Sequence, residues 1–252
     1  MSGLEQLAVL AAGLGAGILT STVGVASLLS FPVLLAIGLP PVTANVSNTL
    51  GLTPGGLSGS FGYRAELRQH PRLAALILGV CAGGSVLGAA LLLGLPPGVF
   101  EVVVPYLILF TCLLVGVQPT ISRLLRRGRE PGPDRMSLSP VATGFAALVG
   151  VYGGYFGAGA GVMMVAVLGF GTDLPLASVN ALKTLALMAG NVVASLIFVF
   201  VADVDWAVAG LLAAGSVVGG YVGARIGRRL PPVVFRVLVV LAGVVTAATM
   251  LA

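Results

Sequence analysis

An all-α polytopic membrane protein, built of two inverted repeats that each join a broken or re-entrant helical hairpin to three transmembrane helices, is the fold class this sequence predicts. Three observations carry it. Of 252 residues, 58% are hydrophobic and only 8% are charged, against about 25% charged in soluble domains. The apolar runs are each roughly 20 residues long, enough for a helix to cross about 30 Å of hydrocarbon, and lack the alternation of barrel strands. The order of the runs, with several of their residues, returns in the second half of the chain.

The first apolar stretch covers residues 6–37 and is interrupted by GAGILTSTVG (15–24). An unbroken helix of that length would measure about 48 Å, so the stretch must tilt, break or turn back. Helices are then expected over 43–62, 73–94 and 99–118, separated by the basic loop YRAELRQHPR (63–72) and an LPPG turn (95–98). The Arg-, Gly- and Pro-rich segment 123–139 reads as a basic cytoplasmic linker between a first repeat of 1–122 and a second of 140–252. The second repeat opens on a stretch of 140–171 interrupted by GGYFGAGAG (153–161), followed by helices over 176–201, 205–227 and 233–251. LPPVTANVSNTL (39–50) reads against LPLASVNALKTL (174–185), LPPGVFEVVV (95–104) against LPPVVFRVLV (230–239), and AGGSVLG (82–88) against AAGSVVG (213–219). Glycine-rich spacing of this kind suits close helix packing in lipid.

The net charge of +5 would suggest nucleic acid in a soluble protein, but here the arginines lie between apolar runs and act as topology signals. If each long stretch enters and leaves on one side, the loop arginines 64, 68, 72, 123, 126, 127, 129, 135, 225, 228 and 229 share one face, with Glu5, Glu101, Asp203 and Asp205 on the other. Glu101 and Arg236, at matching places, exchange sign, as an inverted second half requires. Both termini are then expected outside the cytoplasm. The N-terminus carries no basic region of a signal peptide and is expected to be retained. Cys81 and Cys112 lie inside apolar runs and read as buried thiols, with no Cys/His cluster to hold a metal.

Lys183, the only lysine in the chain, lies inside an otherwise apolar run, and such a residue is a functional candidate because its charge costs several kcal/mol there unless partnered. Two readings compete: a counter-charge for an anion, or a side chain that snorkels to the headgroups. Interrupted helices at matching places point to a transporter site. The first break offers Thr20, Ser21 and Thr22; the second offers Tyr152, Tyr155 and the backbone of Gly157, Ala158 and Gly159. Helix N-termini beyond the breaks favour an oxyanion. The helices that follow add Asn45, Asn48 and Thr49 in one half and Asn180, Lys183, Thr184 and Asn191 in the other, with Asn45/Asn48 and Asn180/Lys183 each at i, i+3 on one helix face. His70 sits in a basic loop and reads as solvated.

The paired glycine-rich breaks, the LPP…AN..N and LP…VN..KT segments after them, and GARIGRRLPP near the C-terminus resemble the sulfite exporter TauE/SafE family of membrane transporters. The resemblance covers nearly the whole chain. It implies a secondary carrier of sulfite, of organosulfonates such as sulfoacetate, or of related sulfur anions, working by export in a prokaryotic plasma membrane. A carboxylate carrier is the alternative. The expected partners are a small anionic substrate, the lipid bilayer and a coupling ion, H+ or Na+; no cofactor, metal or nucleic acid is expected, and oligomeric state is left open. No GxxxxGK[ST] motif occurs, which agrees with a carrier that does not hydrolyse ATP. An enzyme is not expected either, because the sequence offers no His/carboxylate cluster or Ser/His pair.

Overall fold

The computed structural model describes residues 1–127, 136–226 and 232–251. Eleven helices run in order: α1 (Gly3–Thr22), α2 (Ser27–Ala36), α3 (Pro41–Gly62), α4 (Arg64–Gln69), α5 (Pro71–Gly94), α6 (Pro97–Arg127), α7 (Pro140–Tyr155), α8 (Ala160–Gly171), α9 (Leu176–Val201), α10 (Trp206–Ile226) and α11 (Pro232–Leu251). Among the described residues, five stretches are long and apolar enough to cross a membrane: α1, α5, Pro97–Val117 of α6, α9 and Trp206–Arg225 of α10. The chain is a polytopic, all-helical membrane protein among its described residues. The middle of the 123–139 linker and arginines 129, 135, 228 and 229 lie outside the described residues, as does the Arg236 side chain.

Local sequence explains most helix ends. Ser2 and Glu5 form a reciprocal capping box at the start of α1. Pro41, Pro71 and Pro140 each open a helix, where the missing N–H costs nothing. Three boundaries differ from the sequence expectation. The basic segment 63–72 contains a short helix, α4, whereas a loop was expected. Helix α6 continues through Arg127, so the first residues of the expected linker are helical. The chain breaks are also shorter than the glycine-rich stretches that announce them, covering only residues 23–26 and 156–159.

The reason is that glycine in an apolar helix is tolerated wherever a neighbouring backbone packs on it. Gly17 stays helical because α10 covers it so closely that a Cβ would stand 2.5 Å from the Ser216 carbonyl. Thr20, Ser21 and Thr22 therefore form the last turn of α1, and Tyr152 and Tyr155 lie within α7. The helix stops only where glycine takes a left-handed conformation, at Gly24 (φ 84) and Gly157 (φ 77). The two stops share one hydrogen-bond pattern: Val23 N and Gly24 N both donate to Leu19 O, as Phe156 N and Gly157 N both donate to Tyr152 O.

At each break the chain folds back on itself. A Cβ on Gly15 of α1 would meet Leu29 of α2 at 2.6 Å, and one on Gly171, the last residue of α8, would meet Leu138 and Ala142 at the start of α7. Helices α2 and α8, of 10 and 12 residues, measure about 15 and 18 Å and are too short to span a bilayer alone.

The two halves of the chain are interleaved in space. Helix α5 packs on α7 and α9, while α10 packs on α1 and α3. Both interfaces are glycine ridges: Gly84 and Gly88 approach the α7 backbone at Ala147 and Val151, and Gly215 and Gly219 approach the α1 backbone at Leu10 and Leu14. Each half thus lends one helix to the other half's broken pair, so the sequence halves are not separate packing units.

Candidate functional site

The tips of the two hairpins meet at the centre of the molecule. Gly24 and Gly161 touch backbone to backbone; a Cβ on either would fall within 2.7 Å of the other's Cα. Only glycine allows that approach.

Around this point the long helices after the breaks hold the hairpins by hydrogen bonds. Asn48 on α3 fixes the start of α2: its Oδ1 accepts from Ser30 Oγ at 2.5 Å and its Nδ2 donates to Ser27 Oγ at 3.1 Å. Asn45, one turn earlier, reaches into the other half and donates from Nδ2 to Tyr155 O at 3.0 Å, the last carbonyl of α7. Lys183 on α9 makes the reciprocal crossing. Its Nζ donates to Thr22 O at 2.9 Å and Ser21 O at 3.3 Å, the last carbonyls of α1. These carbonyls carry the negative end of the helix dipole, and α1 has no basic residue of its own in its last turn.

Lys183 is fully buried, so it does not snorkel to a headgroup. Among the described residues no carboxylate pairs with it, and its bonds go to neutral carbonyls. The ammonium is hydrogen-bonded but its charge is not neutralised, a condition that favours an anion nearby.

A cavity lies beside it. Thr20, Gly24, Ala26 and Ser27 line it from the first break, with Thr49 and Leu52 from α3; Phe156, Gly157 and Ala160 line it from the second, with Ala186, Leu187, Gly190 and Asn191 from α9. Cys81 of α5 and the Gly150–Gly153 side of α7 close it. Its volume is about 30 Å³, room for one or two waters. The space is smaller than a hydrated oxyanion.

Of the residues singled out from sequence, Thr20, Thr49, Gly157 and Asn191 line this cavity. Asn191 is the least committed of them, since its amide makes no hydrogen bond within the described residues. The Thr20 hydroxyl donates to Ala16 O in its own helix, as Thr22 does to Ile18 O and Thr184 to Asn180 O. Ser21 donates to Gly220 O of α10. Tyr152 supports the second break, donating to Ala158 O at 2.6 Å, while the Tyr155 ring stacks edge-on against Phe100. Gly159 is the left-handed residue opening α8 and packs on Thr111. Asn180 is half-buried one turn before Lys183. Asn45, Asn48 and Lys183 stand behind the wall, where they hold its pieces in place.

Sequence reasoning missed Ser27 and Cys81, which face the cavity, and Thr111, whose Oγ1 donates to Ala158 O at 3.0 Å. Ser27 was detectable: it stands three residues after Gly24, as Ala160 stands three after Gly157. Thr111 carried no signal, because only the packing of α6 on α8 brings it there.

A bundle of apolar helices with two broken hairpins whose tips meet beside a small cavity is the architecture of a polytopic membrane protein, and the relatives assign it to the transporters. The chain belongs to the sulfite exporter TauE/SafE family, which matches residues 9–250. It is 29% identical over 228 residues to a "Probable membrane transporter protein" of Haemophilus influenzae, covering 88% of this chain and 86% of that one. It is 29% identical over 245 residues to "Probable membrane transporter protein ORF9" of Sinorhizobium sp, covering 94% and 88%. With the Escherichia coli K12 "Probable membrane transporter protein YfcA" it shares 28% identity over 219 residues, covering 85% and 76%. No solved structure matches the chain.

Proposed function

We propose that this protein is a secondary carrier that exports small sulfur-containing anions, sulfite, sulfoacetate or other organosulfonates, across a prokaryotic plasma membrane by alternating access. The observation that carries this reading is the small cavity where the two hairpin tips meet, with the Lys183 ammonium, bonded to neutral carbonyls, directly behind its Gly24 wall. Lys183 supplies the attraction for an anion, while Asn191 and the Ser27 hydroxyl supply donors. No acid lies along the cavity, which weighs against a cation as cargo.

In this reading the two halves are inverted repeats, the termini and the Asp203–Asp205 loop face outward, and the arginine-rich loops face the cytoplasm. The moving bodies are the interleaved groups, α1 with α3 and α10 against α5 with α7 and α9, and motion between them widens the cavity. A coupled H+ or Na+ supplies the driving force. The alternative cargo is a small carboxylate, which offers the same charge in a planar group.

Purified protein in liposomes, tested with labelled sulfite, sulfoacetate and acetate, decides between them. Sulfite or sulfonate flux above that of empty liposomes supports the reading. Flux of acetate alone replaces it with the carboxylate alternative.

A further inference from the structure

A second basic feature lies away from the central cavity. Arg64, at the start of α4, and Arg225, at the end of α10, line one open basin of about 310 Å³ together with Glu66 and Tyr221. The arginines come from opposite halves of the sequence, and both are exposed. Each guanidinium lies over an aromatic ring one helical turn earlier: Arg64 Cζ lies 4.6 Å from the Phe61 ring centre, and Arg225 Cζ lies 4.5 Å from that of Tyr221. Arg64 Nη1 also donates to Phe61 O at 3.2 Å. Stacking fixes the plane of a guanidinium while leaving edge N–H groups for a second partner, which suits a planar or pyramidal oxyanion. Two guanidinium groups outnumber the single carboxylate in the basin.

The basin ends close to the buried lysine. Its inner wall includes Ala224, which is buried with Tyr63 and Ala181 in one small cluster. The Tyr63 hydroxyl donates to Ser21 O at 3.1 Å, the same carbonyl that receives Lys183 Nζ. One buried tyrosine therefore bridges the wall of the basin and the acceptor of the ammonium.

We propose that Arg64 and Arg225 form an outer binding site for a small oxyanion, a station between bulk water and the central cavity, closed off from Lys183 by Tyr63. The proposal rests on the reading of the chain as an anion carrier. The site collects the free anion at its mouth, where opposite charge raises the local concentration, and its contribution weakens as salt screens it.

Two measurements on protein in liposomes test this. In the first, phenylglyoxal labels arginines with or without sulfoacetate, whose sulfonate, unlike sulfite, does not add to the reagent's aldehyde, and mass spectrometry reads each position. Sulfoacetate should protect Arg64 and Arg225 but not Arg68 and Arg72, in vesicles of phosphatidylcholine alone. In the second, labelled sulfite flux is measured for R64Q, R225Q, the double variant and R64K/R225K. The double variant should raise KM by about fivefold at low salt and far less at high salt, with a smaller fall in maximal rate, and the lysine pair should recover part of the loss.

Uniform labelling with and without sulfoacetate, together with an unchanged KM, overturns the outer site while leaving the carrier reading intact. Protection that requires phosphatidylglycerol and that sulfoacetate does not increase assigns the basin to a lipid headgroup and also overturns it. Selective protection by sulfoacetate in a wild-type protein that moves neither sulfite nor sulfoacetate has the opposite meaning: the outer site stands and the carrier reading fails.

Discussion

Lys183 Nζ donates to the carbonyl of Thr22 at 2.9 Å, closing the end of α1 with a charge supplied by α9. Asn45 Nδ2 does the same for Tyr155 at the end of α7, from α3, at 3.0 Å. Thr22 and Tyr155 hold matching places, each two residues before the left-handed glycine that ends its helix. Each long helix therefore caps the broken helix of the other half, and the two caps differ in one respect: one is neutral and the other is an ammonium. Capping and charge are thus combined in a single side chain, and they can be separated by substitution.

K183Q keeps a donor for the α1 carbonyls and removes the charge; K183M removes both. If the charge attracts the substrate, both variants insert into the membrane and lose sulfite binding. The Met variant also melts lower, by the cost of leaving buried carbonyls unpaired, about 1–3 kcal/mol. K183R keeps the charge as a planar fork in place of a compact ammonium and should retain a weakened response. Calorimetry on purified protein reads the outcome, and a Gln variant with wild-type affinity would reduce Lys183 to a helix cap.

N45A removes the neutral cap. The expected loss is again about 1–3 kcal/mol in thermal unfolding. Transport should slow through the loosened second hairpin, with the apparent substrate affinity changing less than after K183Q. An affinity loss as large as that of K183Q would place Asn45 in contact with the anion.

G24A should be among the most damaging single-methyl changes in the chain. The left-handed conformation costs a non-glycine residue about 1–2 kcal/mol, and the added carbon would stand 2.7 Å from Gly161 Cα. Reduced folded yield and a lowered Tm are expected in G24A, whereas G79A, where a Cβ meets nothing within 4 Å, should behave like the wild type. Equal yields of the two would remove the hairpin contact from the account.

N191L tests the cavity itself. With an uncommitted amide replaced by an apolar group of similar size, KM for sulfite should rise about tenfold or more, the worth of one hydrogen bond to a charged group. Stability should hardly change, since no internal bond is lost. Unaltered KM would move the anion away from this wall.

The inverted topology predicts that R68C and D203C, in a background without Cys81 and Cys112, react with an impermeant thiol reagent from opposite sides of the membrane. Labelling of both from intact cells would rule that topology out.

The membrane class and the places where helices break were legible in the sequence, because bilayer thickness dictates the length of an apolar run and glycine marks a chain reversal. Lys183 was legible for a related reason: an ammonium inside an apolar run has few explanations, and its isolation shows without any coordinates. Break boundaries were not, because a glycine such as Gly17 stays helical when a neighbouring backbone covers it and only the left-handed Gly24 and Gly157 end their helices. Nor was the role of each polar residue. A hydroxyl can satisfy itself on its own helix, as Thr20, Thr22 and Thr184 do, or bridge to another, as Ser21 does, and residue type does not distinguish the two. The exchange of α5 and α10 between halves, and the meeting of Asn45 with Tyr155 and of Lys183 with Thr22, were decided by tertiary packing alone. Periodicity and composition act within one helix, whereas these contacts join residues more than sixty positions apart and form only when glycine ridges let the backbones close on each other.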